Sequence, residues 1–295
     1  MLTKDQIEFY NDQGYLMVED VISESQHNEM MNLIEGFFEK SKNVTENNNI
    51  FDLEDGHSPN NPRLKRVKQP HQHTQFFSDI IKKSKIQSIL IDLLGQNISL
   101  KTSKLNTKAP GGGAAVEWHQ DWAFYPHTND SILALGIMLN DVDLDNGPLM
   151  VIPESHKGPL LSHHNEGVFC GAIDPSDKDF DMNKAITLTG KARSMTIHHV
   201  RTLHGSAPNN SDKDRLMLFY ECNASDAWPL VGIPGYFKSA NPGELWELMQ
   251  KQIVCGSLSF QPRVENVPAI LPLPAAPDHG SIFTTQKTGG AKSAF

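Results

Sequence analysis

The feature that most constrains the fold is a change of pattern at about residue 97. Before it, apolar residues recur at helical spacing, from Ser23 to about Lys40 and again from Phe76 to Leu94. Short β-like runs joined by polar turns follow, and together they predict a sandwich or jelly roll in an α+β chain with a helical layer on one sheet. These runs are Ile98–Lys108, Ala114–His119, Ile132–Leu139, Leu149–Ile152, Gly167–Ala172, Ala185–Leu188, Ser194–His198 and Leu216–Cys222.

The first residues predict a helix, a turn and a strand. Thr3 and Gln6 have the spacing of a capping box, and Gly14 is placed to end the helix. Tyr15–Val18 then has the composition of a short strand. Residues 41–62 are polar and rich in Asn and Pro, so we expect a long surface loop there.

No segment has the composition of a linker between two cores, so we expect a single domain over residues 1–295. Its parts are a helical N-terminal layer at about 1–96, a β core at about 97–224 and C-terminal loops at about 225–295. We expect the last stretch, Thr284–Phe295, to be mobile.

Composition excludes several classes of partner. The chain has 295 residues, with 26 Lys plus Arg against 35 Asp plus Glu, which gives a net charge of −9. An acidic chain lacks the basic face that nucleic acid or an anionic membrane requires, and its longest apolar run, Ile132–Leu139, is too short to span a bilayer. The N-terminus has no apolar stretch of the secretory kind, so we expect a cytoplasmic protein whose thiols are free: Cys170, Cys222 and Cys255.

The segment Trp118-His119-Gln120-Asp121 carries the sharpest local signal. His119 and Asp121 are two residues apart at the end of a predicted strand, where residues i and i+2 point to the same face. An imidazole and a carboxylate can therefore reach one metal ion from this segment. The pair alone is a weak signal, because it occurs by chance in many proteins.

Two other residues, His204 and Arg215, support the metal hypothesis. His204 follows the predicted strand Ser194–His198, and with His119 and Asp121 it completes two histidines and one carboxylate. Non-haem Fe(II) oxygenases use this set, which leaves positions open for a co-substrate and oxygen. Arg215 starts the next strand, and its guanidinium can hold a carboxylate through two parallel hydrogen bonds. We therefore expect iron and a dicarboxylate.

These motifs resemble those of the phytanoyl-CoA dioxygenase family of Fe(II)/2-oxoglutarate enzymes. The resemblance includes Asp145–Leu149, Ile152–Gly158 and His204-Gly205-Ser206, and it extends from about Thr3 to about Asn223. It implies a mainly β chain with flanking helices, built on a double-stranded β-helix core of the jelly-roll, cupin-like kind. It implies iron on His119, Asp121 and His204, and 2-oxoglutarate on Arg215, Ser206, Lys68, Lys104 and Asn106.

The resemblance also implies the reaction. The enzyme would use O2 and 2-oxoglutarate to hydroxylate an unactivated C–H bond of a small metabolite, with succinate and CO2 as co-products. Asp121 favours hydroxylation over halogenation, because related halogenases have a small residue at that position. The same chemistry can give desaturation, epoxidation or ring closure. A non-catalytic metal-binding jelly-roll module is the alternative of another class, although Arg215 has no purpose in such a module.

The substrate side is less defined. Gly136 stands where many family members have a tryptophan beside the co-substrate, so one wall of that pocket is expected to be missing. Glu154 replaces a glycine of the family pattern Pro-Gly-Ser-His. A polar or anionic substrate can be met by Lys65, Arg66 or Lys68. For substrate contacts we expect Trp122, Phe124 and Trp228, while the sequence indicates neither the substrate nor the oligomeric state.

Overall fold

The computed structural model describes residues 1–230, 242–270 and 281–295. The helices are α1 (Lys4–Gln13), α2 (Glu24–Ser41), α3 (Pro70–His73), α4 (Gln75–Lys82), α5 (Lys85–Leu94), α6 (Pro242–Lys251) and α7 (Ile282–Thr288). The strands are β1 (Tyr15–Val18), β2 (Phe51–Leu53), β3 (Leu64–Lys68), β4 (Ile98–Lys108), β5 (Val116–His119), β6 (Ile132–Met138), β7 (Leu149–Val151), β8 (His164–Asn165), β9 (Val168–Phe169), β10 (Ile186–Leu188), β11 (Met195–His199), β12 (His204–Ser206), β13 (Arg215–Ala224) and β14 (Ile253–Cys255).

Two antiparallel sheets form the β core. The larger has the order β1-β11-β6-β13-β4-β3-β2, with β14 paired to β4, and the smaller has the order β10-β7-β12-β5. The two ligand-bearing strands are neighbours in the smaller sheet, because His204 of β12 lies opposite His119 of β5. This is the jelly-roll arrangement that the sequence predicts. None of the described helices is long and apolar enough to cross a membrane.

The alternation of side chains in β13 decides what faces the core. Leu216, Leu218, Tyr220 and Cys222 lie in the main hydrophobic cluster with side chains of α2, α4 and α5. The intervening residues point the other way, into the space between the sheets, since strand side chains alternate between faces. The helical layer therefore covers the outer face of the large sheet and leaves its inner face to the site. The residues of β13 that line the inner cavity are Arg215, Met217 and Phe219.

The N-terminal elements agree with their sequence signals. The Thr3 hydroxyl and the Gln6 side chain form both hydrogen bonds of the capping box. Gly14 ends α1 in the left-handed region with φ 78°. The predicted strand Tyr15–Val18 is β1, and it pairs with β11.

Three expectations about elements were wrong. The single helix predicted over Phe76–Leu94 is two helices, because Ser84 accepts a hydrogen bond from the Ile86 amide and caps α5. The predicted loop 41–62 contains β2, which pairs with β3. The predicted C-terminal loops contain α6, β14 and α7, although residues 231–241 and 271–280 of that range lie outside the described residues.

The end of the chain is packed, which corrects the expectation of a mobile tail. Phe295 stacks on Trp118 with ring centroids 6.1 Å apart. The side-chain amide of Gln286 accepts from the Glu117 amide at 3.1 Å and donates to the Gly171 carbonyl at 3.1 Å. The tail is therefore bonded to the segment that directly precedes His119.

Candidate metal centre and its cavities

Three side chains from two neighbouring strands meet at one point. His119 ends β5, Asp121 follows it in a 3-10 turn, and His204 begins β12. One ligand atom from each lies within 4.8 Å of the other two, and all three residues are buried. Two imidazole nitrogens and a carboxylate at this spacing fit a metal that keeps open positions, as the sequence predicts.

The two histidines are held in the orientation that a metal requires. The Nδ1 of His119 lies 2.8 Å from the Glu117 carbonyl oxygen, and the Nδ1 of His204 lies 2.9 Å from that of Thr202. A carbonyl can only accept, so each Nδ1 donates and each Nε2 lone pair is free for the metal. Burial, and next the neighbouring His119 and His198, lower the pKa of His204, which favours its neutral, ligating form.

His198 is a fourth imidazole beside these three residues. Its Nε2 lies 3.3 Å from Asp121 Oδ2, and its ring centroid is 4.2 Å from that of His204. The structure thus places His198 in direct contact with the carboxylate of Asp121. Its other nitrogen, Nδ1, is buried without a hydrogen-bond partner in the described residues.

The first cavity extends from this centre to a buried cation. Arg215 is 3% exposed, and its Nε has no hydrogen-bond partner in the part of the chain that the structure describes. Burial lowers its pKa to about 10, so the guanidinium stays charged at neutral pH. An unpaired buried charge is costly unless an anion meets it, so this end of the cavity fits a carboxylate.

Lys108 is a second buried cation that the sequence analysis did not single out. Its amino group donates to the Ser206 hydroxyl at 2.8 Å and also to the Ala207 carbonyl. Burial, and next the charge of Arg215, hold its pKa well below the ordinary value. The signal that could have found it is alternation, because Lys104, Asn106 and Lys108 share one face of β4.

Of the predicted co-substrate residues besides Arg215, three line the first cavity and one does not. Ser206, Lys104 and Asn106 line it. Lys104 is paired with Glu221 at 2.7 Å, and Asn106 accepts a hydrogen bond from Arg66. Lys68 is a correction: its amino group is paired with Asp52 at 2.8 Å and lies outside this cavity, and Arg66 lines the cavity instead.

The wall expected to be missing at Gly136 is supplied by a neighbouring strand. Gly136 lies directly opposite Phe219 in the β6–β13 pair. A Cβ at Gly136 would come within 2.6 Å of the Phe219 ring and 3.0 Å of the Met217 methyl. Phe219 therefore fills the place that the absent tryptophan leaves.

Of the three predicted substrate residues, two line a cavity and one is buried in the core. Trp122 is a correction, because it is fully buried in an apolar cluster with Ile132 and Val200 and does not line the first cavity. Phe124 packs edge-on against the His119 ring at 5.9 Å. Phe124 and Trp228 line a neighbouring second cavity of about 390 Å³. On the opposite side, Ile282 of α7 lines the first cavity, which no sequence signal indicated.

Comparison with solved structures identifies the fold. The carbocyclase SnoK from nogalamycin biosynthesis matches with a TM-score of 0.64 at 21% identity, covering 81% of this chain and 91% of that one. EctD from S. alaskensis, solved with 2-oxoglutarate and 5-hydroxyectoine, matches with a TM-score of 0.62 at 20% identity, covering 94% of this chain and 88% of that one. The fold is that of the Fe(II)/2-oxoglutarate oxygenases, which confirms the predicted jelly roll.

The family model described as "Phytanoyl-CoA dioxygenase (PhyH)" matches residues 10–217. The chain belongs to the phytanoyl-CoA dioxygenase family. A Stutzerimonas stutzeri protein named "Probable alpha-ketoglutarate-dependent hypophosphite dioxygenase" is 37% identical over 282 residues, covering 94% of this chain and 95% of that protein. The phytanoyl-CoA dioxygenase of Arabidopsis thaliana is 28% identical, covering 72% and 86%.

These findings settle the activity class. The chain is an Fe(II)/2-oxoglutarate-dependent dioxygenase, an oxidoreductase that acts on a small molecule and uses iron, 2-oxoglutarate and O2. The alternative of a non-catalytic metal-binding module is set aside. His119, Asp121 and His204 fit the iron, and the buried guanidinium of Arg215, whose Nε has no partner in the described part of the chain, fits a dicarboxylate.

Proposed function

We propose specific roles for the residues of the site. His119, Asp121 and His204 hold the iron, and Arg215 and the Ser206 hydroxyl hold the distal carboxylate of 2-oxoglutarate. Lys108 fixes Ser206 in place by donating a hydrogen bond to its hydroxyl. The observation that carries this proposal is the buried Arg215 guanidinium, whose Nε has no partner in the described residues and which lines the same cavity as the three ligands.

The remaining residues prepare the reaction around the bound groups. Iron, 2-oxoglutarate and O2 together supply an oxidant that inserts one oxygen atom into the substrate and yields succinate and CO2. The backbone carbonyls of Glu117 and Thr202 orient the two imidazoles. Phe219 closes the cavity beside Gly136 and excludes water from it.

We propose further that the substrate is a small phosphorus oxyanion, such as hypophosphite or a short alkylphosphonate, oxidised at a P–H or C–H bond. The Stutzerimonas stutzeri relative, which matches nearly the whole chain, supports this class. Arg66 also supports an anionic substrate, because it lines the first cavity and is not assigned to the co-substrate.

The metal assignment is tested by binding. His119→Ala, Asp121→Ala and His204→Ala should each weaken Fe(II) binding severely, because each removes one of three protein ligands. Under anaerobic conditions, addition of 2-oxoglutarate to the Fe(II) protein should produce a visible charge-transfer band in the wild type and in none of these variants. His73→Ala, an exposed histidine, is the control. A wild-type band in any ligand variant would remove that residue from the set.

The substrate class is tested by turnover. Hypophosphite, phosphite and methylphosphonate should each be compared with ectoine for O2-dependent succinate formation that is matched by oxidised product. We expect stoichiometric coupling with at least one phosphorus compound. Coupled turnover of ectoine alone would contradict the proposed class and leave the dioxygenase activity in place.

We also propose that the chain forms a single domain over residues 1–295 and works in the cytoplasm. Contacts between the last residues and the β core support the first proposal. Three free cysteines, which fit a reducing compartment, support the second.

A further inference from the structure

The second cavity is larger than the first and has no assigned role. Its free volume is about 390 Å³, compared with about 50 Å³ in the first cavity. It is lined by both apolar and polar side chains, among them Lys101, Phe124, Tyr125, His127, Asn223 and Trp228. A cavity of this size and mixed lining is typical of a small-molecule site.

The two cavities lie end to end along the inner face of the large sheet. In β4, Asn106 and Lys104 line the first cavity, and Lys101 and Ser99 line the second. In β13 the order is the same, because Phe219 lines the first cavity and Asn223, further along the strand, lines the second. The second cavity is therefore the continuation of the barrel interior beyond the metal centre, away from Arg215.

A β-bulge places a cation in this second cavity. Thr102 pairs with Glu221 and Leu100 pairs with Cys222, so Lys101 is an extra residue between them. A bulge re-aims the side chain that it carries, and bulges are frequent beside active sites. Here the bulge puts the Lys101 side chain among the cavity-lining residues, although regular alternation would not place both Lys101 and Lys104 on the inner face.

Lys101 has no anionic partner in the described residues. No carboxylate there lies within 4.0 Å of its amino group, which sits instead 4.1 Å from the centre of the Tyr125 ring. The nearby carboxylate of Glu221 is taken by Lys104 at 2.7 Å. Burial lowers the pKa of Lys101, and the charges of Glu221 and Asp121 oppose that shift. An anion in the cavity would offset the cost of burying this charge.

Two aromatic residues connect the second cavity with the metal ligands. The Tyr125 hydroxyl is buried, and burial together with the charges of Asp121 and Glu221 raises its pKa. Tyr125 follows Phe124, whose ring packs edge-on against that of His119 at 5.9 Å. Phe124 and Tyr125 both line the second cavity, so this cavity reaches residues that contact the metal ligands.

We propose that the second cavity binds the substrate and that Lys101 holds its oxyanion. This inference rests on the proposed function and extends it, since it separates the substrate's anion site from the Arg215 site of the co-substrate. Lys101 is then a residue that determines specificity for anions. Arg66, which lines the first cavity, is the competing anchor.

The test measures binding, not turnover. Isothermal titration of the anaerobic Fe(II)–2-oxoglutarate protein would use four anions: hypophosphite, methylphosphonate, methanesulfonate and acetate. At least one should bind, and Lys101→Gln should raise its Kd about ten- to a hundredfold, the value of one charge-assisted hydrogen bond. Lys101→Arg keeps the charge and should therefore raise the Kd less than Lys101→Gln does. The exposed Lys178→Gln should change nothing, and the 2-oxoglutarate charge-transfer band should be unaltered in all three variants.

The outcomes separate the two proposals. An unchanged Kd in Lys101→Gln, with a rise in Arg66→Gln instead, would overturn the Lys101 assignment and leave the phosphorus oxyanion class intact. Loss of 2-oxoglutarate binding in Lys101→Gln would also overturn it, because the lysine would then serve the co-substrate. If only methanesulfonate or acetate binds, and does so through Lys101, the assignment holds and the phosphorus class fails. If no anion binds to the wild type, both fail.

Discussion

At the scale of single residues, the decisive group is the buried guanidinium of Arg215, whose Nε has no hydrogen-bond partner in the described residues. Arg215 starts β13 and points into the first cavity, where no described carboxylate pairs with it. Lys108 lies close enough that its charge and that of Arg215 disfavour each other. Two buried cations side by side are unfavourable in the absence of an anion, so the protein retains an electrostatic cost that a dicarboxylate removes.

The first prediction at this scale concerns Arg215→Lys. A point charge cannot replace a bidentate fork, and loss of one charge-assisted hydrogen bond costs about 1.5–3 kcal/mol. The KM for 2-oxoglutarate should therefore rise about ten- to a hundredfold. Steady-state kinetics at saturating substrate measure it, with the surface variant Arg193→Lys as the control. An unchanged KM would mean that the dicarboxylate is held elsewhere in the cavity.

At the scale of elements, a cross-strand pair replaces a side chain that the family usually has. Gly136 in β6 makes room for Phe219 in β13, so the wall of the co-substrate cavity comes from the neighbouring strand. The glycine is required by a close approach and not by its backbone angle. The two positions are therefore coupled.

A substitution by alanine should have opposite effects on stability at Gly136 and at Gly36. Gly136→Ala forces a methyl against the buried Phe219 ring and should lower the unfolding free energy by about 1–3 kcal/mol. Gly36→Ala lies within α2 with nothing within 4 Å of the new methyl, and should raise it by roughly 0.5–1 kcal/mol. Urea denaturation measures both. Adding Phe219→Leu should relieve the first effect, and equal destabilisation with and without it would refute the contact.

Local pattern was sufficient for some elements and insufficient for others. The predicted strand Ile98–Lys108 is β4 at both ends, because alternation and turn residues are local signals. Whether Arg66 or Lys68 reaches the cavity could not be predicted. Both lie on β3, two residues apart, and the ion pair between Lys68 and Asp52 depends on a strand that the sequence analysis assigned to a loop. The metal ligands could be predicted from the sequence because their spacing is itself the motif.

At the scale of the whole molecule, the last residues help to hold the metal centre. Gln286 and Phe295 contact Glu117 and Trp118, which directly precede His119. These contacts join positions separated by 169 residues in one case. No local sequence signal reports such a distance, so the tail appeared mobile from composition alone.

The packing of the tail predicts that weakening its contacts will weaken metal retention. Gln286→Ala deletes the hydrogen bonds of a buried amide and should lower the unfolding free energy by about 1–3 kcal/mol. It should also speed the loss of Fe(II) to a chelator, because the Glu117 carbonyl that orients His119 loses a restraint. Thermal unfolding and stopped-flow chelation measure these effects against the exposed Gln261→Ala. Unfolding stability that falls without faster metal loss would limit the tail to a packing role.

The backbone carbonyls that fix His119 and His204 have a consequence for how the enzyme acquires its metal. Their hydrogen bonds set both tautomers in advance, so the ligands are arranged whether or not an ion is present. A preformed set of two nitrogens and one carboxylate accepts several divalent ions, and the Irving–Williams order ranks copper, nickel and zinc above Fe(II). Which metal ion occupies the site therefore depends on the concentrations of free metal ions around the protein. Mismetallation is then a failure to which this enzyme is exposed.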